Sequence, residues 1–484
     1  MSKYIYLSPE LKISRIINGL WQVADMERDG KSLDLDQAAK ALVPYVEAGL
    51  TTFDMADHYG SSELIAGILH KKYVPKDSIQ LLTKWVPAPG KLTKNDVKDA
   101  VVLSLKRMQV DCLDLLQYHA WNYADPCWLD HLYWLQELSS EGLIKNIGLT
   151  NFDTAHLKMT LDSGIKVVSN QVSFSLLDQR AKTILLALCE SYGIKVLAYG
   201  TMAGGFLSEQ WITKDEPDAN KLDTWSLMKY KRFIDQAGGW SLFQNTLNDL
   251  TIFSNQSNNK ITTLASKYIL DQPGVGAVII GVRPGLNNHL QSNLQLFDIS
   301  LSLTEKEKIE SSIHKFKPIP GDCGDEYRKP PYLTASGDLS HHLESLPPPY
   351  QTKMGSDQRI QALSGTMWED IAGFSRAVKK GNRILISGTT ATHGSKVIGG
   401  DDPASQANFI LDKMEGALQS LGSSMQDVVR TRIYIRNISD WEVVARAHGA
   451  RFKDIQPANT MVRADLIGDE YLVEMEAEAM LNGK

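Results

Sequence analysis

Phe53-Asp54-Met55-Ala56-Asp57-His58-Tyr59-Gly60 ends an apolar run at 50–54 and turns at once into polar and aromatic residues. A run that short, bounded by turn residues, reads as a buried strand. Working outward, the same profile recurs. Leu82-Thr83-Lys84-Trp85 ends a run at 79–84, and Leu116-Gln117-Tyr118-His119 ends one at 113–118. Further runs at 16–20, 144–149, 167–171, 195–199 and 277–281 bring the number to eight. Amphipathic stretches such as 95–108 and 259–271 lie between them. Eight strand–helix alternations predict an α/β fold, a closed (β/α)8 TIM barrel spanning about 1–315. A hairpin at 4–14 is expected to plug its bottom. About 75 residues, including the segment Trp225 to Trp240, separate the seventh and eighth strands. Inserts of that length hold extra helices or cover an active site.

At 484 residues the chain is long enough for two or more domains. Its net charge of −6 provides no basic footprint for nucleic acid or an anionic membrane. No apolar stretch approaches the ~18 residues of a membrane span. The N-terminus, Met1-Ser2-Lys3-Tyr4-Ile5, lacks a secretory pattern, so a cytoplasmic location is expected. Cys112, Cys127, Cys189 and Cys323 are far apart and have no zinc-type spacing. Reduced thiols and no metal site are therefore expected.

Texture changes at 316–364, where Pro318, Pro320, Pro330, Pro331 and Pro347-Pro348-Pro349 cluster. This composition reads as a semi-rigid connector that resists helix and sheet. Its first part, Gly321-Asp322-Cys323-Gly324-Asp325-Glu326-Tyr327-Arg328, is too specific for a spacer and is expected to drape over the barrel. Residues 365–484 read as a separate, smaller α+β unit in the order ββαβαββ. Its strands fall at 373–378, 383–387, 428–435, 460–466 and 472–480. One helix starts at Asp402-Pro403 and stops at Gly422, and another spans 441–452.

In a parallel barrel, reactive groups sit where strands end. Asp54, Tyr59, Lys84 and His119 follow consecutive strands and can share one rim. Such a set suits a carbonyl undergoing reduction, whose oxygen must receive a proton. Free tyrosine, with a pKa near ~10, donates reluctantly at neutral pH. An ammonium such as Lys84 lowers that barrier, and Asp54 keeps the ammonium charged and oriented. His119 is suited to hydrogen-bond the carbonyl oxygen. Trp21, Trp85 and Trp121, at or near strand ends, suggest an aromatic substrate wall.

Residues 5–315 resemble the aldo-keto reductase family. The resemblance rests on Gly19-Leu20-Trp21, on 53–60 with Ser62-Glu63, on Leu113 to His119, and on Gly142-Leu143-Ile144-Lys145-Asn146-Ile147-Gly148-Leu149-Thr150-Asn151-Phe152. It implies that Asp54, Tyr59, Lys84 and His119 form a catalytic tetrad. It also implies a nicotinamide dinucleotide bound extended, without a Gly-x-Gly-x-x-Gly turn. Thr150, Asn151 and Gln171 would then meet the carboxamide, Tyr199 would stack on the ring, and Gly281, Arg283 and Asn293 would hold the adenosine end. NADPH-preferring members often carry arginine four residues before the final asparagine, where this chain has His289. Arg283 can meet a 2′-phosphate instead, so NADP(H) is favoured over NAD(H). A nicotinamide-binding sensor or scaffold is the alternative.

Residues 370–482 resemble the Rid (YjgF/YER057c/UK114) family. The resemblance rests on Ser375-Arg376-Ala377-Val378, Ile384 to Gly388, Asp402-Pro403, Pro457 to Val462 and Val473 to Ala477. It implies a trimer with clefts between subunits and, in active members, hydrolysis of enamines or imines. The family's carboxylate-holding arginine falls here on Leu466. Arg463, three residues earlier, faces the other side of a strand. Arg432, Arg436 and Glu474 are cleft candidates or surface salt partners. Three roles follow for this unit: clearing a related imine, binding a small molecule, or making the chain a homo-oligomer. A reading in which it is the main imine hydrolase, with the barrel accessory, also stands.

Overall fold

The computed structural model describes residues 2–286, 289–329, 337, 339–355 and 357–481; Pro330 and Pro331 of the connector lie outside them. Eight parallel strands close into a barrel: Ile16–Gly19, Thr52–Asp54, Gln80–Trp85, Leu115–Tyr118, Ile147–Thr150, Ser169–Ser173, Lys195–Tyr199 and Val275–Gly281. Neighbours in sequence are neighbours in the barrel. The last strand closes on the first through Val278 opposite Ile16.

Alternation along the strands explains both ends of the lumen. Ile17, Leu82, Leu115, Leu197 and Ala277 pack with Leu7, Leu11 and Ile13 in one buried cluster. Those last three come from the antiparallel hairpin Tyr4–Ser8 and Leu11–Ser14, the expected plug. Two residues further along the strands the inward positions become Lys84, Gln117 and Tyr199. The lumen is therefore apolar below and polar above.

Between the seventh and eighth strands the long insert folds into helices Trp225–Gln236 and Trp240–Ser257, followed by Ile261–Leu270. The first of these reaches the barrel mouth, where Trp21 Nε1 donates to Ser226 Oγ at 3.1 Å.

The second unit is a mixed sheet backed by helices Pro403–Ser420 and Trp441–Phe452. Its strand order is Gln351–Met354, Ile360–Leu363, Ala377–Lys380, Arg383–Thr390, Val473–Met480, Val428–Ile435, Ala458–Arg463. Only the last two neighbours run parallel. The sheet begins earlier than composition suggested. Gln351–Met354 and Ile360–Leu363 pair antiparallel and extend the edge, although the connector was expected to resist sheet. Pro347-Pro348-Pro349 precede this hairpin and no proline lies within it, so its N–H groups remain free to pair. The strand expected at 373–378 begins at Ala377, after a short helix Met367–Ala372.

Helix Pro403–Ser420 packs on barrel helix Thr154–Asp162. Lys158 bridges Asp162 and Asp402 at 2.6 and 2.8 Å, and Ser405 Oγ donates to Asp162 at 2.7 Å. His393 and Asp130 meet at 2.9 Å, and Asn122 Nδ2 donates to Gln419 at 3.1 Å. Among the described residues no helix is long and apolar enough to cross a membrane, and no cluster of His, Cys, Asp or Glu could hold a metal. The four cysteines are unpaired, and burial raises the Cys127 and Cys323 thiols above their ordinary range, against a reactive role.

Candidate active site

A cavity of about 640 Å³ opens at the C-terminal end of the strands. Asp54, Tyr59, Lys84 and His119 all line it. Lys84 Nζ lies 2.5 Å from Asp54 Oδ2 and donates to the Met55 carbonyl at 2.9 Å. Both side chains of the pair are about 4% exposed, so little water screens them. Burial pulls the ammonium below its ordinary pKa, and the Asp54 carboxylate opposes that shift. The other Asp54 oxygen accepts from Gln117 Nε2 at 3.0 Å and Gln171 Nε2 at 2.8 Å. Three donors thus converge on one carboxylate. Lys84 Nζ also stands 4.9 Å from the centre of the Tyr59 ring.

His119 is buried, and among the described residues neither ring nitrogen meets a hydrogen-bond partner. Burial, with the Arg328 charge nearby, holds its pKa well below the ordinary value. The ring is therefore neutral at physiological pH. A buried imidazole with an unsatisfied N–H and lone pair beside a cavity is built for a ligand.

The expected cofactor residues lie along the same cavity. Thr150, Asn151, Gln171, Tyr199, Gly281, Arg283, His289 and Asn293 all line it. Tyr199 Oη donates to Asn151 Oδ1 at 2.8 Å. Asn151 adopts a left-handed backbone (φ 59°), uncommon for a side-chain-bearing residue and frequent at binding turns. The Gln171 amide is turned inward to Asp54 and Gln117.

Trp21 and Trp121 line the cavity. Trp21 meets the Tyr59 ring edge-on at 4.8 Å, and Trp121 meets His119 at 4.4 Å. Trp85 does not line it. Lys84 points into the lumen, so its neighbour must point out. There Trp85 packs in the core on Tyr118 and His131, 5.4 and 5.3 Å away.

Sequence reasoning did not single out Gln117, Trp225, Lys229 or Tyr327. Gln117 was accessible from the period of two between Leu115 and His119. Trp225, from the insert, sits 5.7 Å from Trp21. Tyr327 belongs to the connector, whose segment Asp325–Arg328 forms a short helix over the mouth. Its hydroxyl is 3.2 Å from that of Tyr199 and accepts from Lys229 Nζ at 2.5 Å, and its ring packs on His119 at 5.4 Å. Arg328 donates to the carbonyls of Ala120 and Asn151 at 2.8 and 2.7 Å. Gly324 is required there: a Cβ would stand 2.0 Å from the Asn151 carbonyl oxygen, and its φ is +84°.

In the second unit, Leu466 is buried and Arg463 exposed. Arg432 pairs with Glu476 at 2.6 Å. Arg436 donates to the Leu466 and Gly468 carbonyls. These arginines are therefore engaged in sheet and loop contacts.

The Aldo/keto reductase family model matches residues 15–314, and the chain belongs to that family. It is accordingly an oxidoreductase of a class that reduces carbonyls with nicotinamide cofactors. The model described as Endoribonuclease L-PSP, which covers the Rid proteins, matches residues 366–481. An NADH-specific methylglyoxal reductase of Escherichia coli is 27% identical over 237 residues, 44% of this chain and 71% of that protein. An uncharacterized protein of Streptomyces coelicolor is 35% identical over 127 residues, 26% of this chain and 95% of its own. The structure of a glycerol dehydrogenase of Gluconobacter oxydans aligns with a TM-score of 0.55 at 20% identity, covering 66% of this chain and 98% of that one. That likeness establishes the fold.

Proposed function

We propose that the barrel reduces an aldehyde or ketone, or oxidises the corresponding alcohol, with Tyr59 as general acid or base. One observation carries this reading: the orphaned, neutral imidazole of His119 shares a cavity with Tyr59 and the buried Asp54–Lys84 pair. A neutral His119 donates to the carbonyl oxygen and fixes its approach. Tyr59 then delivers the proton as negative charge develops there. Lys84 stabilises the phenolate that remains, and Asp54 holds Lys84 in place. Gln117 and Gln171 fix the orientation of Asp54 by donating to it.

A nicotinamide dinucleotide fits the residues present. The cavity runs from the tetrad to Arg283 and Asn293, and Tyr199 offers an aromatic face beside Asn151. Bound there, the cofactor supplies the hydrogen and electron pair that the carbonyl carbon accepts. Arg283 favours NADP(H), through its charge and fork of donors. Trp21, Trp121 and Trp225 make the substrate end aromatic.

The second unit is read as an oligomerising domain, in the trimer its family implies. Its helices cover one face of the sheet, while Leu385, Val429 and Met480 remain partly exposed. Leu466 in place of an arginine argues against hydrolysis of carboxylate-bearing imines. An accessory role near the barrel, in a cytoplasmic enzyme, suits the fusion.

The test is consumption of NADPH and of NADH over a panel of aldehydes, ketones and sugars. Turnover with at least one carbonyl class, faster with NADPH, is expected. Cofactor binding without turnover on any substrate would favour the sensor reading.

A further inference from the structure

Two residues beyond Asn151 the chain reaches Asp153, which caps helix Thr154–Asp162 by accepting from the His156 amide at 2.8 Å. The His156 ring returns to the same carboxylate, with Nδ1 2.7 Å from both oxygens. Its Nε2 lies 2.9 Å from Asp412 Oδ2, on helix Pro403–Ser420 of the second unit. One buried imidazole thus spans two buried carboxylates from different units.

The ring is held on its faces as well. Tyr123 stacks on it with centroids 3.5 Å apart and planes 7° from parallel, and Trp128 meets it edge-on at 6.1 Å. The Arg328 guanidinium covers the Tyr123 ring at 4.4 Å and donates to the Asn151 carbonyl at 2.7 Å. Arg451 pairs with Asp412 and with Glu415. Asp322, from the connector, accepts from the Thr154 amide at 2.9 Å. Two routes therefore lead from the second unit to Asn151: through Asp153 along the backbone, and through the Tyr123–Arg328 stack.

We propose that His156 is a positioning residue through which the second unit braces the cofactor turn 150–153, and that the brace slackens when the ring loses its proton. As an imidazolium, His156 donates to Asp153 and Asp412 together. A neutral ring has one N–H and must turn a lone pair toward the other carboxylate, which repels it. Burial works against the charged ring, but Asp153 and Asp412 outweigh it and hold its pKa at about 8. Arg451 shares the same surroundings, where Asp412 and Glu415 outweigh burial and hold it charged, so the change over this range belongs to the ring. A fixed turn presents Thr150 and Asn151 to a ligand already ordered; a slack one must be ordered on binding, at a cost in affinity. This rests on the cofactor reading above, so its test begins without cofactor.

Amide hydrogen exchange of the full-length protein is compared across about pH 7 to about pH 9, corrected for the intrinsic rate. Protection of Asn151 to His156 is expected to fall as pH passes about 8. The NADPH dissociation constant is expected to rise about fivefold or more over the same range, the size of a modest coupling between sites. Asp412→Asn is expected to abolish both steps and leave binding weak at every pH. His156→Gln, which keeps two hydrogen-bonding ends without a titratable charge, should flatten the profile. Unchanged protection across the range in the parent protein, or identical profiles in parent and both variants, would overturn the proposal. Loss of protection on schedule with no nicotinamide binding at any pH would uphold the brace and defeat the cofactor reading instead.

Discussion

Lys84 and Asp54 form a buried ion pair, 2.5 Å between Nζ and Oδ2, whose ammonium also faces the ring of Tyr59. Stability and chemistry separate at this pair. Removing one partner strands a buried charge, at roughly 3–5 kcal/mol. Lys84→Met should destabilise the barrel by about that much, read by denaturant unfolding. Adding Asp54→Asn should return part of that stability while turnover stays at least ~10²-fold down, because the phenolate still lacks its ammonium. Recovery of turnover along with stability would assign the pair a purely structural role.

His119 and His156 respond to pH in opposite directions. The folded state holds His119 neutral, so below about pH 6.5 the unfolded chain takes up a proton that the folded one refuses. Its contribution is lost on acidification, at up to ~1.4 kcal/mol per pH unit. For His156, raised to about 8, the contribution is complete below the unfolded value and lost as pH rises through about 8. Stability measured against pH should therefore peak between the two. His119→Gln should flatten the acid side and leave the alkaline side unchanged.

Periodicity made the barrel legible. Strands such as Gln80–Trp85 are short apolar runs ending in polar residues, and alternation places Lys84 inward. The same rule, not applied at Trp85, would have removed it from the substrate wall. Gln117 was within reach of that argument too. The Tyr327–Tyr199 and Asp412–His156 contacts were not. They join residues 128 and 256 positions distant from Tyr199 and His156, and nothing local in a sequence encodes such a meeting. Composition misjudged 351–363, because prolines beside a hairpin do not forbid it.

Arg283 decides the choice between cofactors in this account. Arg283→Ala should weaken NADPH by about tenfold or more, the worth of a charge-assisted hydrogen bond, and leave NADH nearly unchanged. Paired titrations of the two cofactors would show this. Equal losses for both would remove the 2′-phosphate assignment.

Gly324 lets the connector close on the turn at Asn151. Gly324→Ala places a methyl against the Asn151 carbonyl at a left-handed backbone position. The variant should lose about 1 kcal/mol or more of stability and bind either dinucleotide more weakly. Parent-like affinity measured by fluorescence titration would mean that the connector does not shape the turn.

Tyr59 carries the central claim, and Tyr59→Phe tests it most directly. The substitution removes one hydroxyl and keeps the ring that Trp21 and Lys84 pack against. NADPH consumption with the best substrate of the panel should fall by ~10² to 10⁴, as for loss of a general acid, while NADPH binding stays within about twofold. Turnover at the parent rate would contradict the account.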